Sequence, residues 1–556
     1  MQYDGNEGES FGFTSRSDLI LLRTDKRLLF GLEASNREIS INSFPMLNVT
    51  VVQRLQRWFC ELALLTLLLG TLTRGAVAAA QEQASQSQPP AGARATQATQ
   101  STPATPETIV SPKEGKELFR SVDEILRFAS QDTDLPIKHK VKRRLAKRDE
   151  VQSYIEKNLK EDKDAKRLER SSAVLKKFGL IPRDFDLSNF LVAMLREQVA
   201  GYYDVKTKTV NLLNWLDVEQ QKPVLAHELT HALQDQSFDI DKWMKGSRQN
   251  DDDKDVEPRP SDIENDEETS ARQAVVEGQA MVVLLDYSLA PTGKTLLNSP
   301  QIVEALKQGM LVGTADSPKF RDAPIFMKEE LTFPYRYGLD FTTALLQAGG
   351  KELAYAGAFK DPPKTTREIM EPQTYLTHEK LPPLKIIDMD KDFKDYEPFD
   401  IGAMGEFDVD VLVEQYAGRD EAAAIYPEWR GGYYFAGKPK VDKSADKLAP
   451  IAVLYVSRWS SAAKAAEFAA VYAKSLAQRY QKRQGLETGG KVDKDAPPAD
   501  SWRTLRGRHA WLTEEGVVVI EVRGDEILIS ESLDDATTKR VEADFWPEEK
   551  AAPAKP

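Results

Sequence analysis

The sequence predicts an α+β fold that is mainly helical, and three observations carry that expectation. From about Ser111 onward, apolar residues recur at helical spacing through most of the chain. A single early segment, residues 201–214, alternates Tyr, Val and Thr around a polar turn and reads as a β-hairpin. From about Ala449, short strand-like runs alternate with helical ones, as in a small α+β unit.

In chain order, "KELFRSVDEILRFA" and "AKRLERSSAVLKKFG" are amphipathic helices. "DLSNFLVAMLREQVA" is a third, with Asp186 or Ser188 placed to cap it. The hairpin "GYYDVKTKTVNLLN" follows, then "DVEQQKPVLAHELTHALQDQ", a helix with Pro223 expected at its first position. The acidic run 250–268 reads as a solvated loop. After it, "TSARQAVVEGQAMVVLLDYSLA" is a long helix, and "SPQIVEALKQGMLV" and "RYGLDFTTALLQAGG" are two more. Residues 360–450 hold many Pro and Gly and give only weak structural signals. The tail reads as a strand in "PIAVLYVSRW", a helix in "SSAAKAAEFAAVYAKSLAQRY", three strands in "RHAWLTEEGVVVIEVRGDEILISES" and a last helix ending near Phe545. No repeat is present.

Upstream of these elements the composition changes. Residues 46–80 combine basic Arg54 and Arg57, an apolar run 62–72, and small residues at Ala76, Ala78 and Ala80, the three-part layout of a secretory signal. The apolar run is short beside the roughly 20 residues that span a bilayer. Translation from Met46, with residues 1–45 an upstream mis-assignment, is the simplest account of a signal so far along the chain. A retained membrane anchor at 62–72 is the alternative, and the only membrane contact expected. Residues 81–110 are Gln, Ser, Thr, Ala and Pro and read as a disordered linker. The expected organisation is therefore extension 1–45, signal 46–80, linker 81–110, main domain 111–445 and α+β tail 446–556. The product is expected to be exported, periplasmic or extracellular.

The net charge of −13 argues against nucleic acid as a partner, since phosphate binding calls for a basic surface. The single cysteine, Cys60, rules out an intrachain disulfide or a multi-thiolate metal site. The chemistry therefore rests on other side chains, and "VLAHELTHALQDQ" supplies them. On a wheel of about 100° per residue, Leu225, Ala226, Leu229, Ala232 and Leu233 share one arc. His227, His231, Glu228 and Asp235 share the neighbouring one. Spacing of i and i+4 puts the two imidazoles one turn apart, close enough for one metal ion. Zinc suits neutral imidazole and leaves a position for water, and Glu228 lies beside that water to take its proton. By residue frequencies the pattern arises by chance at roughly a few per thousand chains of this length. Asp235 is a candidate to orient His231 from behind.

Two histidines do not complete a site, and His139, His378 and His509 lie in polar, unpatterned surroundings. A carboxylate is the natural third ligand. Glu277 is the only charged residue between Arg272 and Asp286, in a helix that is apolar nearly all round. A lone buried carboxylate is costly without a partner. Gly278 beside it sacrifices about 1 kcal/mol of helix propensity, which points to another element packed close by. A structural salt bridge is the competing role for Glu277, and Glu268 is the rival ligand.

HELTH followed by a downstream helix carrying "EGQA" resembles the gluzincin clan of zinc metallopeptidases, and residues 198–375 look like bacterial exported proteins of the peptidase-MA-like kind. In that clan a downstream glutamate is the third ligand, which the resemblance assigns to Glu277. The 45 residues between His231 and Glu277 exceed the short spacing of the best-known members, and the acidic insert accounts for the length. The resemblance implies a zincin-like core, with a small sheet formed by residues 201–213 above the HELTH helix and an edge strand able to pair with an extended peptide. It also implies an oxyanion-stabilising tyrosine in "TFPYRYGLDF", which makes Tyr335, with Tyr337 as the other choice, a catalytic candidate. "EWRGGYYF" reads as a loop packed on the core that could touch substrate.

The expected function is peptide-bond hydrolysis by an exported metallopeptidase. His227, His231 and Glu277 bind zinc, Glu228 activates water, and a peptide or protein is the substrate. The alternatives are a non-catalytic zinc-bearing module that binds peptide or cell wall, and a structural helical protein carrying a chance motif.

Overall fold

Ser111 opens the first helix with a reciprocal cap. Its hydroxyl accepts from the Glu114 amide, the Glu114 carboxylate accepts from the Ser111 amide, and Pro112 takes the first helical position. This helix, α1 (Pro112–Thr133), buries Leu118, Val122, Ile125 and Ala129 along one stripe. The computed structural model describes residues 110–547 except 152, 154–161, 199–200, 247–257, 300, 302–303, 305–316, 441–449 and 488–489. The extension 1–45, the signal layout 46–80 with its apolar run 62–72, the linker up to residue 109, and most of the helix expected at 299–312 lie outside the described residues. Among the described residues no helix is long and apolar enough to cross a membrane.

The fold is mixed α+β, with two sheets among the described residues. The smaller is β1 (Lys142–Ala146), β2 (Tyr202–Asp204) and β3 (Thr209–Leu213) in the order β1-β3-β2. β1 runs parallel to β3, and β2 and β3 form the antiparallel hairpin expected from the sequence. Asp204 makes the turn, accepting from the amides of Lys206 and Thr207. β2 lies at the sheet edge.

Helices α2 (Asp162–Phe178) and α3 (Leu187–Gln198) precede the hairpin, and the Asp186 side chain accepts from the Asn189 amide at the start of α3. Three long helices form the centre: α4 (Val218–Phe238), α5 (Asp262–Leu289) and α6 (Ile325–Lys351). α5 packs on both α4 and α6, and α1 covers α4. α5 and α6 approach backbone to backbone, because a Cβ on Gly278 would sit only 2.0 Å from the Gly338 carbonyl oxygen. This is the close neighbour that Gly278 foretold.

The larger sheet has seven strands, all antiparallel: β4 (Tyr396–Ala403), β5 (Trp429–Pro439), β6 (Ala452–Trp459), β7 (Gln484–Gly485), β8 (Gly507–Thr513), β9 (Gly516–Arg523) and β10 (Glu526–Glu531), in the order β4-β5-β6-β10-β9-β8-β7. α7 (Glu406–Ala417) lies between β4 and β5 in the chain, α8 (Ala462–Arg479) follows β6, and α9 (Asp535–Phe545) closes the described chain. Glu531, at the end of β10, is buried against Arg479 at 2.7 Å and the hydroxyls of Tyr472 and Tyr480 at 2.7 and 2.5 Å.

The structure departs from the sequence reading at several elements. "EWRGGYYF" is not a loop: from Trp429 it is β5, disguised by a register shift at Gly431. β4 carries a similar irregularity near Pro398, so residues 360–450 hold strands and helices that Pro and Gly hid. The seven-stranded sheet crosses the 445/446 position, since β4 and β5 hydrogen-bond into the same sheet as the tail strands. The acidic run is a loop only in part, because α5 begins at Asp262 and buries Asp266 and Glu267. Pro223 lies inside α4 rather than at its start: Asp217 caps the helix earlier, accepting from the amides of Glu219 and Gln220.

Candidate metal centre

Two helices supply the centre. With α4 capped at Asp217, His227 and His231 fall one turn apart and their rings meet edge to face, with centroids 4.6 Å apart. α5, which packs against α4, brings Glu277 across from them. Glu277 Oε2 lies 3.1 Å from His227 Nε2 and 3.6 Å from His231 Nε2, and the two Nε2 atoms are 3.0 Å apart. All three side chains are buried.

This donor set fits a metal ion. Three ligand atoms bonded at about 2.1 Å in tetrahedral geometry stand about 3.4 Å from one another, and the observed triangle of 3.0, 3.1 and 3.6 Å is close to that. It is the only group of three or more His, Cys, Asp or Glu among the described residues that could hold a metal ion. The other histidines take no part: His139 and His378 are exposed, and His509 is half-buried beside Trp502 and Trp511. The rival ligand Glu268 is turned away, paired with Arg272 at 2.5 Å.

Electrostatics within the triad run as the geometry requires. Burial opposes a charged ring on His231, but the Glu277 carboxylate and its hydrogen bond outweigh it and raise His231 above its ordinary value. Burial also opposes charge on Glu277, and the two histidines overcome it and hold that carboxyl low. His227 is pushed down, chiefly by burial. Without a metal the extra proton on His231 is what stabilises the Glu277 carboxylate, and a divalent cation would take that proton's place.

Glu228 is 2 % exposed, and its Oε2 accepts from the Tyr203 amide at 2.7 Å. That amide belongs to edge strand β2 and points away from β3, so the carboxylate sits directly beneath the strand edge. The Tyr203 hydroxyl donates to Asp235, which also takes two bonds from Lys208 Nζ at 2.7 and 2.9 Å. Asp235 therefore anchors the hairpin to α4 and is not the group behind His231, contrary to the sequence expectation. That position belongs to Gln234, whose Oε1 is 2.9 Å from His231 Nδ1. The Gln234 amide nitrogen donates to the Val276 carbonyl at 3.0 Å and to Gln279 Oε1 at 2.9 Å. Gln234 and Gln279 were readable as polar residues in otherwise apolar helix surroundings, but spacing alone favoured the carboxylate next door.

Tyr335 comes from α6. Its ring is fully buried and nearly parallel to that of His227, with centroids 6.3 Å apart and an interplanar angle of 24°. Tyr337 faces elsewhere, with its hydroxyl on Asp410 at 3.3 Å. The structure brings His227, His231, Glu277, Glu228 and Tyr335 together in one place and leaves Tyr337 and Glu268 outside it. No family model, curated protein or solved structure matches this chain.

Proposed function

We propose that the chain is an exported zinc-dependent metallopeptidase with a zincin-like core. The observation that carries the reading is the convergence of His227, His231 and Glu277 next to Glu228, itself hydrogen-bonded to an edge strand. Two imidazoles and a carboxylate are a ligand set characteristic of catalytic zinc, and a zinc ion held there supplies Lewis acidity toward a carbonyl and lowers the pKa of water. His227 and His231 offer Nε2 and Glu277 offers Oε2.

Glu228 takes a proton from the attacking water and passes it to the leaving amine. Its carboxylate is aimed by the Tyr203 amide, so proton transfer and the strand edge stay in register. The outward amide of Tyr203 is already bonded to Glu228, so an extended peptide adding along β2 would take over that bond. Tyr335 is the donor assigned to the developing oxyanion, supported by its place against His227. Export rests on the signal layout of residues 46–80.

A second reading has one observation in its favour. His227, Glu228, Glu277 and Tyr335 are all 3 % exposed or less, as in a zinc-bearing module that binds without cleaving. A peptide-library digest separates the two. The zinc-loaded wild type should cleave, and Glu228→Gln should keep its zinc while losing about 10²-fold or more in turnover. A zinc-loaded wild type inert toward every peptide supports the binding module, and unchanged turnover in Glu228→Gln removes Glu228 from the mechanism.

A further inference from the structure

The amide pair behind His231 dictates the direction of a hydrogen-bond chain. The backbone carbonyls of Ala354 and Tyr355, in the π-helical turn Glu352–Gly357, accept from Gln279 Nε2 at 2.8 and 3.2 Å. Carbonyls only accept, so the Gln279 nitrogen must face them and its Oε1 must face back. That oxygen in turn fixes Gln234 with its nitrogen toward Gln279, and the Val276 carbonyl fixes it the same way. Gln234 Oε1 is left facing His231 Nδ1. Every polar atom of the two buried amides is used, which offsets the cost of burying them.

We infer that Gln234, oriented by Gln279, is a positioning residue that commits His231 Nδ1–H to an acceptor and so reserves Nε2, which faces Glu277 and His227, for a metal ion. The inference rests on the metal-centre reading above. Gln234 also ties together two of the three ligands, since one amide grips the ring of His231 and the backbone of Val276, the residue before Glu277. A metal-ligating imidazole almost always donates its other N–H to an acceptor, and of the two rings here only His231 has a side-chain partner for Nδ1. A neutral amide meets that need without adding a negative charge beside Glu277 and Glu228 in a buried site.

Zinc affinity of the full chain, by competition against a chromophoric chelator, tests the inference, with thermal unfolding of each metal-free protein measured alongside. Gln234→Leu should bind zinc about 10–100-fold more weakly. Gln234→Glu retains an acceptor for Nδ1–H and should stay within about threefold of wild type, even though losing the amide donors lowers its metal-free stability. A purely structural role would make affinity follow stability, and this variant breaks that link. Gln279→Leu, which touches no ligand, should also weaken zinc binding and serves if Gln234→Leu does not fold. Wild-type affinity in a folded Gln234→Leu or in Gln279→Leu overturns the inference, as does a loss in Gln234→Glu equal to that in Gln234→Leu. A wild-type chain that holds no zinc overturns the metal centre itself, and this inference with it.

Discussion

Gly278 and Gly338 meet backbone to backbone: a Cβ on Gly278 would lie 2.0 Å from the Gly338 carbonyl oxygen, and one on Gly338 would lie 2.2 Å from that of Ala274. The contact sets how close α6 comes to α5, and so where Tyr335 stands relative to Glu277. Helix propensity alone favours Gly278→Ala by about 1 kcal/mol. Because the obstruction is backbone, the helices must part, and overpacking of this kind costs about 1–3 kcal/mol or more. Gly278→Ala should therefore lower the denaturation midpoint and weaken zinc binding together. A variant more stable than wild type, following propensity, would show that the close approach is absent.

Glu267 gives a prediction in pH. Its carboxylate accepts from the amide and hydroxyl of Thr366, both at 2.9 Å, and burial, aided by the charge of Asp408, pushes its pKa up to about 8 from 4.5. The folded chain therefore keeps a proton that the unfolded chain gives up near its ordinary value. The associated stability is complete below the unfolded pKa and is lost as pH rises through the folded one. Gln cannot titrate, so Glu267→Gln should gain on wild type by a few kcal/mol between about pH 5 and 8. Chemical denaturation across that range measures it. A stability difference that stays flat with pH would contradict the shift.

Tyr335 and Tyr337 can be told apart by kinetics. Loss of an oxyanion donor typically costs about 10²–10³ in kcat. Tyr335→Phe keeps the ring against His227 and should lose turnover at unchanged zinc content, whereas Tyr337→Phe should not. Turnover unaffected in Tyr335→Phe would leave the oxyanion role without its residue.

How far the sequence revealed all this depended on whether a signal was local. The HELTH helix was plain because its periodicity and its chemistry lie within thirteen residues. Glu277 was legible through burial, since one charge in an apolar helix demands a partner, and the partners are His227 and His231. The hairpin β2–β3 was legible from alternation around its turn. β1 was not, because "KRRLA" carries too few apolar residues to alternate, and its pairing with β3 is set by tertiary contact. β4 and β5 were hidden by Pro398 and Gly431, where local rules read a break and the sheet accommodates a bulge. Asp235 was misread because a wheel gives the face of a helix and not what lies across from it. Lys208 and Tyr203 claim that carboxylate, and they arrive from another element.

Zinc stoichiometry in the metal-reconstituted full chain tests the metal centre most directly, read for the wild type beside Glu277→Ala, Glu268→Ala and a His227→Ala/His231→Ala pair. The wild type and Glu268→Ala should hold about one zinc per chain, Glu277→Ala should release it to a chelator that leaves the wild type loaded, and the double-histidine variant should hold none. Equal zinc in the wild type and Glu277→Ala, or none in the wild type, would contradict the assignment of His227, His231 and Glu277 as the ligands.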